Sequence, residues 1–326
     1  MTGRRAWLGR SFLLFAILLV VFDAATQSAP PAAEAKAKPK QAAAKGPEFL
    51  RLTRDSKDVL TAMQTAIVSY VPADESGQGL KVDLVAAVHV GERSYYDQLN
   101  REFEGYDALL YELVAPEDNN VPQAGQGTSN AHPIGLLQNG LKDILELEHQ
   151  LALVKYDQPN FVHADMSPEE FAKSMASRDE SLTKLFFRLM GQGIAQQSKQ
   201  QAKSGTSAEA EMMAAMFSPQ RAVKMKRILA EQFGDLESAM AGLDGPDGST
   251  IITERNKVAL DVLKEQIAAG KKKIGVFYGA GHLKDMDERL RTDFHLKRGE
   301  TRWLTAWDLR SEKQKKAEEK RGKTAE

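Results

Sequence analysis

Residues 80–114 read LKVDLVAAVHVGERSYYDQLNREFEGYDALLYELV. Positions 80–90 alternate at first and then become wholly apolar, the pattern of a strand that passes from half-buried to buried on both faces. Gly91 stops it. From Glu92 to Phe103 the apolar side chains return at helical spacing, with Tyr95, Leu99 and Phe103 on one face, and residues 106–114 (YDALLYELV) form a second apolar strand. Strand, helix and strand in so short a stretch make a βαβ unit with a right-handed crossover.

On the N-terminal side, residues 61–71 (TAMQTAIVSYV) alternate and are β-branched, and a turn-rich ADESGQG separates them from the unit. This predicts an edge hairpin leading into a buried central strand. The same grammar returns downstream. Residues 253–269 (TERNKVALDVLKEQIAA) are a capped amphipathic helix ended by Gly270, with Val258, Val262 and Ile267 among its apolar positions. Residues 273–278 (KIGVFY) are a buried strand, followed by a helix over 283–290 and a last strand over 303–309. The expected fold class is α/β, with a mainly parallel, mixed sheet flanked by helices.

Between these halves, from about 116 to 250, the chain is first rich in Gly and Asn and then in long helical patterns, which predicts a helical insertion over the sheet. Seven of the eleven methionines fall in residues 170–245. They either fill the core of amphipathic helices or line an adaptable apolar groove for a peptide or lipid-like ligand.

The 326 residues suffice for a sizeable core, so global disorder is excluded. With 44 basic and 45 acidic side chains the chain lacks the charge of a nucleic-acid binder. Absence of cysteine excludes disulfides, thiolate metal sites and a Cys nucleophile, so any metal must be held by His and carboxylates. Arg4, Arg5 and Arg10 precede an apolar run, residues 11–22 (SFLLFAILLVVF), too short for a comfortable span of roughly 20 residues and right for a signal-peptide core of about 7 to 15. Residues 1–28 are thus expected to be a signal peptide or an N-terminal anchor, and 29–46 (APPAAEAKAKPKQAAAKG) an Ala/Pro/Lys tether. The body, 47–310, would then lie outside the cytoplasm, in a periplasm, on the cell surface or in the medium. The tail, 311–326, is a mixed-charge run that reads as a solvated helix end.

Ligands of open α/β sheets bind outside the carboxyl ends of strands. His89 closes the first buried strand (AAVHVG) and His282 follows the late one (FYGAGH), each beside glycines. Glu112 is a carboxylate set in the apolar YELV and must be paired, protonated or bound to a cation. Arg255, opening the helix in TERN, can face the same edge, to pair with Glu112 or stabilise an oxyanion. His163 and Asp165 (FVHADM) precede a helix capped by Ser167, so they read equally as site or as capping residues. His132, His149 and His295 receive no role.

The stretches HVGERSYYDQLNREFEGYDALLYELV, ITERN and GVFYGAGHLKDM resemble the TraB/PrgY/Tiki family, within a wider superfamily that includes erythromycin esterase-like and ChaN-like proteins. The resemblance covers most of residues 50–310, with 160–171 (NFVHADMSPEEF) similar to bacterial members. That family carries two Gly-x-x-His motifs, a strand Glu and a downstream Arg. Gly279-Ala280-Gly281-His282 matches, whereas the first motif is Ala86-Ala87-Val88-His89 and keeps only its histidine. The resemblance implies an α/β core, metal-dependent protease activity as in the animal Tiki members, and functional roles for His89, Glu112, Arg255 and His282.

Two His and one carboxylate are a sufficient ligand set for a catalytic divalent ion with a position left for water. The expectation is that His89, Glu112 and His282 bind manganese, cobalt or zinc. Glu112 serves as third ligand or general base, and Arg255 stabilises charge on a tetrahedral intermediate or grips a substrate carboxylate. The function expected is an exported metal-dependent hydrolase of a peptide or small-molecule amide. One alternative is a non-catalytic protein of the same fold that sequesters a peptide or small ligand. Another is a metal-independent, esterase-like hydrolase with His89 or His282 as general base; no Gly-x-Ser-x-Gly nucleophile elbow is present.

Overall fold

A computed structural model of the chain describes residues 49–74, 79–116, 145–180, 208–240 and 248–325. The expected signal segment, the tether and His132 lie outside them. Strands β1 (Leu50–Arg54) and β2 (Leu60–Pro72) precede β3 (Lys81–Ala87), the two-residue β4 (Val90–Gly91), helix α1 (Arg93–Phe103) and β5 (Ala108–Tyr111). Then come β6 (Glu148–His149), the single turn α2 (Gln150–Leu153), β7 (Phe161–His163), α3 (Pro168–Ser177), α4 (Ala208–Met216) and α5 (Arg221–Met240). A π-helical turn, Thr250–Glu254, runs directly into α6 (Arg255–Ala268). After it lie β8 (Lys273–Gly279), a 3-10 turn (Ala280–His282), α7 (Leu283–Thr292), β9 (Leu296–Asp308) and α8 (Glu312–Ala325). The fold is α/β.

Seven strands form one sheet, and its order β2-β3-β8-β5-β7 contains a parallel block of four, β3, β8, β5 and β7. Both faces of that block are covered. In β8 the successive residues Phe277 and Tyr278 point to opposite faces and are both buried, which is why the strand reads as an unbroken apolar run. Phe103 of α1 packs on Phe277, with ring centroids 4.8 Å apart. On the helix, Tyr95, Tyr96, Leu99 and Phe103 are the buried residues, in accord with the spacing read from the sequence.

Two expectations need correction. The first hairpin is not at an edge: β9 runs antiparallel along β2 from Ala62 to Pro72, while β1 and β3 share the opposite edge of β2. β9 begins at Leu296, earlier than its apolar portion suggested, because its polar first half is still paired to β2. The strands β3 and β5 of the βαβ unit are parallel but not adjacent; β8 lies between them and pairs in parallel with both. Gly275 makes this insertion sterically possible, since a Cβ there would fall 2.6 Å from Leu109 Cδ1 and 3.0 Å from the Tyr106 ring.

The insertion is helical in α3, α4 and α5, and it also lends the sheet its last strand, β7. Its methionines divide. Met175 and Met225 are buried, whereas Met213 and Met216 are exposed beside Phe217, which is 81% exposed. Among the described residues no helix is long and apolar enough to cross a membrane.

Candidate functional site

The four parallel strands end at a common rim, and each is followed within three residues by a candidate side chain: His89 after β3, His282 after β8, Glu112 after β5 and Asp165 after β7. Because β8 is central, His282 sits between the strand of His89 and that of Glu112. Glu112 is not inside its strand, as YELV suggested, but one residue past its end.

Arg255 is the first residue of α6 and is 1% exposed. Its Nε and Nη2 donate to Asp165 Oδ1 and Oδ2 at 2.9 and 2.6 Å, and Nη2 also donates to Glu112 Oε1 at 2.7 Å. Its Nη1 lies 3.4 Å from His282 Nε2, which in turn is 3.5 Å from Glu112 Oε1. One guanidinium therefore ties two carboxylates and an imidazole into a single buried cluster. The second oxygen of Glu112 accepts the backbone N–H of Gly279 at 2.7 Å. A Cβ on Gly279 would stand 3.2 Å from that oxygen, which gives the first glycine of the Gly-x-x-His stretch a steric reason.

The electrostatics follow from this packing. Burial by itself would push Glu112 up, but the charge of Arg255, with the Gly279 amide, holds it well below the usual carboxylate range. Burial likewise opposes the charge on Arg255, but Asp165 and Glu112 outweigh it and keep the guanidinium protonated. His282 is lowered to about 4, first by burial and only partly offset by Glu112, so its imidazole is neutral near pH 7. The result is an ionised carboxylate beside a neutral imidazole, with an arginine touching both.

His89 is half-buried at the rim, its carbonyl accepting Gln150 N–H at 2.9 Å. Its side chain lies within electrostatic reach of Glu112 and of His282. Of the second pair, Asp165 belongs to the cluster and His163 does not. His163 Nε2 lies 2.6 Å from the Leu113 carbonyl, with its ring against Tyr111. Helix α3 is capped by Ser167 in a capping box with Glu170, so Asp165 is free of that task. His149 stands at the N-cap position of the single turn α2 without a capping hydrogen bond from its side chain, and His295 has a φ of 53°.

Two residues carry more than the sequence signalled. Asn256, fully buried, contacts His282 through both its amide atoms. Tyr278 donates its hydroxyl to the Ala164 carbonyl, pinning the chain just before Asp165 to β8. The only sequence cue for either was position, one residue after Arg255 and four before His282.

Helix α5 packs against the 3-10 turn that carries His282. It is fastened to the same rim by Lys226 Nζ, which donates to Glu92 Oε1 at 2.9 Å. Among the described residues, no three His, Asp or Glu side chains stand together as a ready metal cage. Comparison with protein-family models, with curated proteins and with solved structures finds no match.

Proposed function

We propose that the chain is an exported hydrolase that cleaves a peptide or amide bond at the rim of its parallel strands, using His89, Glu112, Arg255 and His282. The observation that carries this reading is the pairing of a neutral, buried His282 with an ionised Glu112 only 3.5 Å away, at the strand ends where α/β sheets receive ligands. The resemblance to the TraB/PrgY/Tiki family points the same way, since Glu112, Arg255 and the Gly279-to-His282 motif are the positions that meet in the cluster.

In chemical type the donor set suits a divalent ion: His282 is neutral, Glu112 is ionised and His89 flanks them. His89, Glu112 and His282 do not stand together as a cage here, so they would have to draw together to hold it, and it would then supply polarisation of the scissile carbonyl and acidification of a water. The protein's own share is separate. Glu112, strongly acidic and with both oxygens already accepting hydrogen bonds, holds Arg255 and the start of the Gly279 turn rather than taking a proton itself, and Arg255, held by Asp165, offers guanidinium hydrogen to a developing oxyanion or to a substrate carboxylate.

A second reading has its own observation. Arg255 already bonds Glu112 Oε1 and reaches toward His282 Nε2, so both of these donor groups are engaged by a guanidinium. That favours a metal-independent hydrolase, in which His282 accepts the water proton and Arg255 supplies the positive charge.

Metal content of the purified chain, with turnover of a peptide library and of an activated ester measured with and without chelator, separates the two. About one divalent ion per chain, lost in His89→Ala and His282→Ala, with cleavage abolished by chelation, supports the first. Cleavage that survives chelation but not His282→Ala supports the second. No cleavage of either substrate by a chain that still binds peptide would overturn both in favour of a sequestering protein.

A further inference from the structure

We infer that Asn256, itself locked by Asp285, is a positioning residue that holds His282 as the Nδ1–H tautomer and so directs the unprotonated Nε2 at Glu112 and Arg255. The inference deepens the hydrolase reading and takes from it only the identity of the site.

Asn256 Nδ2 is 3.0 Å from the His282 carbonyl and 2.8 Å from Asp285 Oδ2. Both partners are acceptors, and Asp285 is kept so by Arg289, whose Nε donates to the same oxygen at 2.8 Å. An amide flipped by half a turn would aim its oxygen at two further oxygens. The NH₂ end is therefore fixed, and Oδ1 must be the atom that lies 2.7 Å from His282 Nδ1. An amide oxygen can only accept, so Nδ1 bears the hydrogen.

The other side of the ring agrees: Arg255 Nη1 is its hydrogen-bond partner, and the acceptor Glu112 Oε1 stands further off at 3.5 Å. Arg255 Nη1 faces Nε2 at 3.4 Å, and a guanidinium has hydrogens to give and no lone pair to receive one. A hydrogen on Nε2 would meet another hydrogen there. With Asn256 on one nitrogen and Arg255 on the other, the ring presents a lone pair to the site in one orientation only. That lone pair is what either a cation or a water proton requires.

The test is nitrogen NMR of the full chain labelled at histidine, with the His282 signals assigned by their loss in His282→Gln. No metal or substrate is added. A protonated, pyrrole-like Nδ1 and an unprotonated, pyridine-like Nε2 near neutral pH are expected. In Asn256→Leu the two resonances should move toward each other as the tautomers mix, with the far-ultraviolet spectrum unchanged. The opposite tautomer in the wild-type chain would overturn the inference, and so would unshifted resonances in a folded Asn256→Leu; if that variant does not fold, the wild-type spectrum decides alone. Absence of any hydrolase activity would leave these resonances where they are, so the two readings fail separately.

Discussion

Arg255 and Asp165 meet side-on, both carboxylate oxygens taking a guanidinium hydrogen, with Asp165 fully buried and Arg255 nearly so. Removing one member of such a pair strands the other's charge away from water. Asp165→Ala should therefore cost about 3–5 kcal/mol, the range for breaking a buried ion pair. Arg255→Lys should also weaken the protein, because an ammonium cannot span two carboxylates in a plane. Urea unfolding of the two variants measures both effects; an Asp165→Ala change well under 1 kcal/mol would show that Glu112 alone satisfies the guanidinium.

Acid should destabilise the fold in two stages. His282 is lowered to about 4 from its ordinary value of 6.5, so the unfolded chain binds the proton first, and stability complete above pH 6.5 is lost as the pH falls toward 4. Glu112 is lowered from 4.5, so its contribution is complete above that value and is lost at still more acid pH. In His282→Gln the decline between pH 6.5 and 4.5 should shrink while the more acid limb remains. Unfolding free energies across that pH range, for both proteins, are the measurement.

Gly279→Ala places a methyl 3.2 Å from Glu112 Oε2, and the carboxylate must shift by a few tenths of an ångström to admit it. A drop in kcat with little loss of melting temperature is expected. Gly275→Ala is the contrasting case. Its methyl would meet Leu109 at 2.6 Å inside the sheet, so it should cost about 1–3 kcal/mol of stability by overpacking. Kinetics and thermal melts run side by side distinguish the site glycine from the packing glycine.

Lys226 is buried against Glu92, which also accepts the Asp308 amide. Lys226→Met keeps the apolar stem and removes the ammonium, and should loosen the first turns of α5 from the rim. Hydrogen exchange should quicken at residues 221–232 and leave β3 and β8 protected. Uniform acceleration would mean global destabilisation instead.

The elements of the core were legible where burial imposes a period. α1 carries its apolar residues at helical spacing, and β8 and the part of β3 after Asp83 are apolar runs because both faces are covered. Pairing was not legible, since nothing local in KIGVFY says that it will lie between β3 and β5. β7 escaped because three residues are too few to show a period, and the polar half of β9 because exposed residues carry none. At the site, Glu112 announced itself as a carboxylate among apolar neighbours, whereas Asp165, just before the Ser167-capped helix, read equally as a capping residue. Asn256 did not announce itself, because an amide on a helix is unremarkable until its partners are seen.

The placement of β8 has a consequence for synthesis. β3 and β5 emerge early from the ribosome but have no edge to share until residues 273–279 arrive between them. His282 and Arg255 come equally late, so a nascent or truncated chain lacks the cluster altogether. Such long-range pairing is slow to form and leaves strand edges open in the interim. Until residue 273 is made, the facing edges of β3 and β5 stay open, so the strand order itself exposes the incomplete chain to mispairing.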